Sequence, residues 1–205
     1  MSTKTRHDWL LWLVQVALLG TIIAVMNYTP LGMLRLGVVE ITFMMIPVII
    51  GAIVCGPGAG ALLGFEFGFF SFWTCINASS AFGATLLGIN PWFTALVCFV
   101  PRIFMGWACG MIFRSLYRSH TPKFLSFSLS GLSGALLNTI GFTGLLILFF
   151  WGSDYIQGLA AGKNVFAFLI AFVGINGLVE AIVCTVLSAS ISRALLPFIK
   201  IKPKK

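Results

Sequence analysis

Six stretches in which apolar residues run almost without a break alternate with short polar or Gly/Pro-punctuated interruptions. They run from about Trp9 to Met26, Val38 to Val54, Gly58 to Thr74, Pro91 to Phe113, Phe124 to Phe150 and Val165 to Leu187, the last with a pattern that extends toward Leu195. About twenty apolar residues in a helix cross a hydrocarbon core, and a helix satisfies its own backbone there without water. The pattern therefore predicts an all-α integral membrane protein, one domain over residues 1–205 built as a bundle of six transmembrane helices. Cys55-Gly56-Pro57-Gly58 predicts a tight turn between the second and third. The opening Lys4 and Arg6 followed by Leu10 to Leu19 resembles a signal peptide. No soluble domain follows it, so it is read as the first span.

Composition agrees with lipid as the main solvent: 59% of residues are hydrophobic and only 9% charged, against roughly a quarter charged in a soluble domain. Thirteen Lys and Arg face five Asp and Glu, a balance that invites a nucleic-acid partner. Position excludes it. Ten of the thirteen lie in the N-terminus (Lys4, Arg6), the 114–123 connection (Arg114, Arg118, Lys123) and the C-terminal part (Arg193, Lys200, Lys202, Lys204, Lys205), whereas the opposite connections hold Arg35 and Lys163. Basic loops stay in the cytoplasm, so both termini are expected there, in a bacterial inner (plasma) membrane. The five cysteines lack CxxC spacing and lie in or beside apolar stretches, so they read as small hydrophobes rather than as metal ligands or a disulfide framework. No Walker A loop, HExxH pair or GxSxG elbow occurs, so no enzyme and no resident cofactor or metal are expected. No internal repeat supports an inverted-repeat transporter.

Ionisable residues inside spans are costly and usually face the bundle interior. Glu66, Arg102 and Glu180 are the clear cases, and Glu40 stands at the outer start of the second span with Arg35 shortly before it. Arg102 and Glu180 fall near mid-depth when about 1.5 Å is counted per residue. Two roles fit Arg102: an ion pair with Glu66 or Glu180 that fixes packing, or contact with an anionic ligand. Pro101 frees a carbonyl one turn earlier, which suits either role. Asn138 and Asn176 add amides at similar depth, and Asn176 shares a helix face with Glu180 four residues on. A membrane asparagine is often interhelical glue; these residues on three successive helices also describe a polar ligand cage. Aromatics including Trp92 crowd the outer ends, as an interfacial belt or as pocket walls. The connections 27–37, 76–90 and 152–164 are candidates for lids or plain surface links. Gly56, Gly60, Gly64 and Gly68 form a small-residue stripe suited to internal packing. Ala17 with Thr21 and Gly20 with Ala24 form another on the first helix, suited to packing or to a partner membrane protein.

The sequence resembles the substrate-binding S components of energy-coupling factor (ECF) vitamin transporters. The resemblance is carried by Val39-Glu40-Ile41-Thr42-Phe43-Met44-Met45-Ile46-Pro47, Gly56-Pro57-Gly58-Ala59-Gly60, Pro101-Arg102-Ile103-Phe104-Met105-Gly106, Gly134-Ala135-Leu136-Leu137-Asn138-Thr139 and Asn176-Gly177-Leu178-Val179-Glu180-Ala181. It implies a six-helix vitamin-capturing module that transports nothing alone. The module would dock on a transmembrane coupling protein with two cytoplasmic ATPases, which bind the ATP. Asn138 and Asn176 match ligand-contacting positions of the family, and Arg102, Glu180, Glu40, Arg35 and Trp92 complete the candidate substrate set. The first outer connection would close over the site. Ala17, Gly20, Thr21 and Ala24 stand where the family carries a paired-alanine docking motif, which is not matched literally. The middle of the chain is most similar to pantothenate-specific members, and a small anion with hydroxyls suits one Arg and amides. Riboflavin or another vitamin or precursor, and a stand-alone ion-coupled secondary transporter using Glu66, Arg102 and Glu180, are the alternatives.

Overall fold

A computed structural model of the chain describes residues 3–29, 32–36, 39–119, 121–162 and 164–195. The elements in order are α1 (Thr3–Asn27), β1 (Met33–Leu36), β2 (Val39–Thr42), α2 (Met45–Val54), α3 (Pro57–Ile76), α4 (Ala81–Ile89), α5 (Pro91–Arg118), α6 (Lys123–Phe150), α7 (Asp154–Ala160) and α8 (Val165–Ala194). Among the described residues, α1, α3, α5, α6 and the 177–194 part of α8 are long and apolar enough to cross a membrane. The chain is a multi-pass helical membrane protein.

The expected second span, 38–54, is corrected by the structure. Its first part is strand β2, paired antiparallel with β1 in the register Met33↔Thr42, Leu34↔Ile41, Arg35↔Glu40 and Leu36↔Val39. Only Met45–Val54 is helical, about 15 Å at 1.5 Å per residue, half the thickness of a hydrocarbon core. The physical reason lies in the residue types. Val39, Ile41 and Thr42 are β-branched and favour an extended backbone. The α2 sequence, MIPVIIGAIV, is apolar on every side, so other helices can enclose it completely without stranding a polar side chain. All ten of its residues are buried, packed by α1, α3, α5, α6 and α8.

Contacts at one end of the bundle fix the direction of each helix. Trp12 Nε1 donates to the Cys55 carbonyl at 3.2 Å, Gly110 of α5 lies against Pro57, and the Arg114 guanidinium covers Gly56. Gly56 has φ +100°, a conformation open to glycine, and a Cβ there would also collide with Arg114. Gly131 near the start of α6 meets Thr185 and Ser188 near the end of α8. The beginning of α1 and the end of α8 thus share the end that carries Arg114, Arg118 and Lys123.

The other end holds the hairpin and two helices where the sequence predicted loops. In 76–90, Ser80 caps α4 by accepting from Gly83 N at 3.1 Å. In 152–164, Ser153 caps α7, and Ile156 and Ala160 are buried. Their apolar faces join Leu86, Val97, Leu146, Phe150 and Phe168 in a second core above the main one.

The glycine stripe of α3 packs internally on α5. Gly60 and Gly106 face each other so closely that a Cβ on either would overlap the other's carbonyl oxygen, and Gly64 rests on the Arg102 carbonyl. Backbone-to-backbone approach of this kind suits small residues. Gly106→Leu is expected to lower stability by about 3 kcal/mol through overpacking, read as an earlier thermal transition of the detergent-solubilised protein. Gly144→Ala, at a position with open space around it, should leave the transition unchanged or raise it slightly.

Candidate functional site

Pro101 has no N–H, so inside α5 the Val97 carbonyl loses its helical partner. Arg102 supplies a replacement: its Nη1 donates to Val97 O. The guanidinium then lies between two rings, Phe67 of α3 at 5.4 Å and Phe142 of α6 at 4.9 Å to the centroids. Each such contact is worth about 0.5–2 kcal/mol, more when desolvated. The side chain is 7% exposed.

Two further polar groups approach from neighbouring helices. Glu180 of α8, also 7% exposed, accepts from the backbone N–H of Thr42 at 2.7 Å. Its carboxylate also lies within electrostatic reach of Arg102. Asn138 is buried on α6, and among the described residues its Oδ1 has no hydrogen-bond partner. The strip of α6 that bears it faces inward, because Gly134 meets Ile49 and Cys109, Gly141 meets Pro101, and Phe142 covers Arg102. A buried acceptor left without a donor costs about 1–3 kcal/mol, so Asn138 Oδ1 is a ready place for a ligand hydroxyl or amide N–H.

Other candidates fall elsewhere. Asn176 lies one turn before Glu180 on α8, and Arg35 and Glu40 are opposite each other in the hairpin register; the side chains of all three lie outside the described residues. Trp92 is 80% exposed at the start of α5, about 15 Å along the helix from Arg102, and is not brought to the cluster. Glu66 turns toward α1, where its carboxylate overlies Gly20. There it helps line an open groove of about 720 Å³ between α1 and α3, with Ala17, Gly20, Thr21 and Ala24 along one wall. Thr21 Oγ1 is satisfied by the Ala17 carbonyl at 2.8 Å. Among the described residues no group of three metal-ligating side chains occurs.

Phe67, Phe142 and the Thr42 amide were not legible as site groups. For Phe142 a signal existed: it stands four residues from Asn138, on the same helix face. Phe67 looked like any core aromatic, and the role of the Thr42 N–H depends on a residue 138 positions away.

The sequence model described as "ECF transporter, substrate-specific component" matches residues 12–192. The chain belongs to this family. It is 32% identical over 184 residues to the pantothenate transporter PanT of Leuconostoc mesenteroides subsp. mesenteroides, covering 89% of this chain and 87% of that protein. It is 28% identical over 171 residues to the pantothenic acid transporter PanT of Lactococcus lactis subsp. cremoris, covering 77% and 78%.

In this S component, Asn138→Ala removes an acceptor that no described residue uses. If Asn138 contacts the ligand, affinity should fall about tenfold or more while the thermal transition does not fall below that of the wild type, since the lost oxygen contributed no hydrogen bond to the fold. Parallel calorimetric titration and thermal unfolding check this; a fall in stability with unchanged affinity would identify Asn138 as interhelical glue.

Proposed function

We propose that the chain is the high-affinity capture subunit of an ECF-type importer of pantothenate, seated in the bacterial cell membrane with both termini in the cytoplasm. α2, with the hairpin above it, takes the place of a sixth span. The orientation is supported by the basic residues gathered at the end where α1 begins and α8 finishes. The protein performs no chemistry on its cargo. Release inside depends on docking to a transmembrane coupling protein driven by two ATPases, which bind the ATP.

The observation that carries the choice of cargo is the buried Arg102 over Phe142, one turn along the same face of α6 from the Asn138 oxygen that has no partner among the described residues, in a chain related over most of its length to named pantothenate transporters. Pantothenate has one carboxylate, two hydroxyls and one amide. The carboxylate suits a guanidinium held rigidly between two rings, where a charge-assisted hydrogen bond is strong. A hydroxyl or the amide N–H suits Asn138 Oδ1. A stand-alone ion relay through Glu66, Arg102 and Glu180 is less well supported, because Glu66 opens to the α1–α3 groove instead of joining the other two.

The groove is the proposed docking face. It is bordered by the small residues of α1, whose remaining surface is largely apolar and exposed, with Trp9, Val14, Leu18 and Val25 each more than half exposed. A helix of the coupling protein packing there would meet a surface shaped for close approach.

Calorimetric titration of the purified chain with pantothenate, riboflavin and a hydroxymethylpyrimidine is expected to give submicromolar binding of pantothenate alone, the range of about −8 kcal/mol or better. Tight binding of either of the others would reassign the cargo. Arg102→Ala should weaken pantothenate about 10–100-fold while changing affinity for its neutral alcohol analogue far less; equal losses would make Arg102 structural. Ala24→Leu, which fills the groove, should leave pantothenate binding intact but reduce the complex recovered with co-expressed coupling protein and ATPases.

A further inference from the structure

Glu180 reads from sequence as a ligand contact, yet its carboxylate is already engaged. Oε1 accepts from Thr42 N at 2.7 Å, and β2 packs on α8. The hairpin needs such an anchor. Its strands have four residues each, and a lone two-stranded hairpin is marginal by itself. Its own ties at this point are local, such as Phe43 N donating to Gly32 O at 3.0 Å. The Thr42 N–H would otherwise be an open edge donor, which membrane proteins tolerate only where a partner or water meets it. Glu180 meets it from the last long helix, across 138 positions of sequence.

We propose that Glu180 is a positioning residue: it clasps the hairpin to α8 through Thr42 N–H and so holds the hairpin closed over the Arg102–Asn138 cluster, without itself contacting the cargo. The consequence for cargo rests on the reading of that cluster as the vitamin site; the clasp itself does not. Opening the hairpin then requires breaking the Thr42–Glu180 hydrogen bond, so Glu180 governs how long the cargo stays. Glutamine at this position keeps an oxygen for the N–H, whereas alanine removes the acceptor.

The full chain in lipid nanodiscs is to be compared as wild type, Glu180→Ala and Glu180→Gln. Two measurements are made: amide hydrogen exchange of the peptide spanning 33–43 without ligand, and release of radiolabelled pantothenate into excess unlabelled compound. Glu180→Ala should speed both hairpin exchange and release about tenfold, the scale set by one lost buried hydrogen bond, and Glu180→Gln should stay much nearer the wild type on both. Unchanged hairpin exchange in Glu180→Ala overturns the clasp, whatever happens to affinity. So does a Glu180→Gln variant that loses pantothenate as fully as Glu180→Ala while its hairpin exchanges like the wild type, since Glu180 would then act on the cargo directly. If the wild type binds no pantothenate, the cargo assignment fails, and the ligand-free exchange comparison still decides the clasp.

Discussion

A guanidinium held inside a membrane has to be surrounded by groups that replace water, because leaving it in hydrocarbon costs at least about 2.5–3.5 kcal/mol. Arg102 meets this demand with parts drawn from separate elements. The carbonyl exposed by Pro101 accepts one N–H, and rings from α3 and α6 cover its faces. The Glu180 carboxylate of α8 stands within electrostatic reach. The proline and the arginine work as a unit: the first creates an unsatisfied acceptor, the second fills it, and α5 continues unbroken from Pro91 to Arg118. Helices α3, α5, α6 and α8 are all committed to the surroundings of this one side chain, and the buried polar cluster is a by-product of that commitment.

Close packing around Arg102 depends on bringing α3 and α5 into backbone contact. Gly60 against Gly106, and Gly64 against the Arg102 carbonyl, set the separation at which Phe67 reaches the guanidinium. With those two helices in place, the ten-residue α2 fills the middle of the bundle, and the chain that precedes it is left above as a hairpin. A short buried helix with a hairpin on top leaves polar backbone at depth, which is tolerated only where protein satisfies it. The Thr42 amide on Glu180 is one such satisfaction.

The molecule thereby separates into parts with different tasks. Around Arg102, Nη1 is met by the Val97 carbonyl and Glu180 is met by the Thr42 amide. Among the described residues Asn138 Oδ1 is left over, so on the proposed reading binding adds a hydrogen bond without breaking one. The face of α1 stands apart, with buried anchors such as Val16 and Ile23 but a mostly exposed apolar surface, where a partner helix can pack without disturbing the cluster.

Much of this was written in the linear pattern. The long apolar runs located α1, α3, α5, α6 and α8 because burial in lipid demands an uninterrupted apolar helix whatever its neighbours. Arg102, Asn138 and Glu180 stood out because polar groups in such runs are costly wherever they end up, and the glycine repeat of α3 announced a close contact. The segment 38–54 was misjudged because its hydrophobicity is compatible with a span, while the break into strand and buried helix depends on the room left by other helices. Helices α4 and α7 were hidden for a similar reason: their apolar residues gain from burial only against each other and against the upper ends of α5, α6 and α8. The hydrogen bond between Thr42 and Glu180 was beyond the sequence, since it is a property of two distant segments meeting. Cost per residue is local and was therefore legible from the chain; which partner meets that cost is decided only when the helices pack.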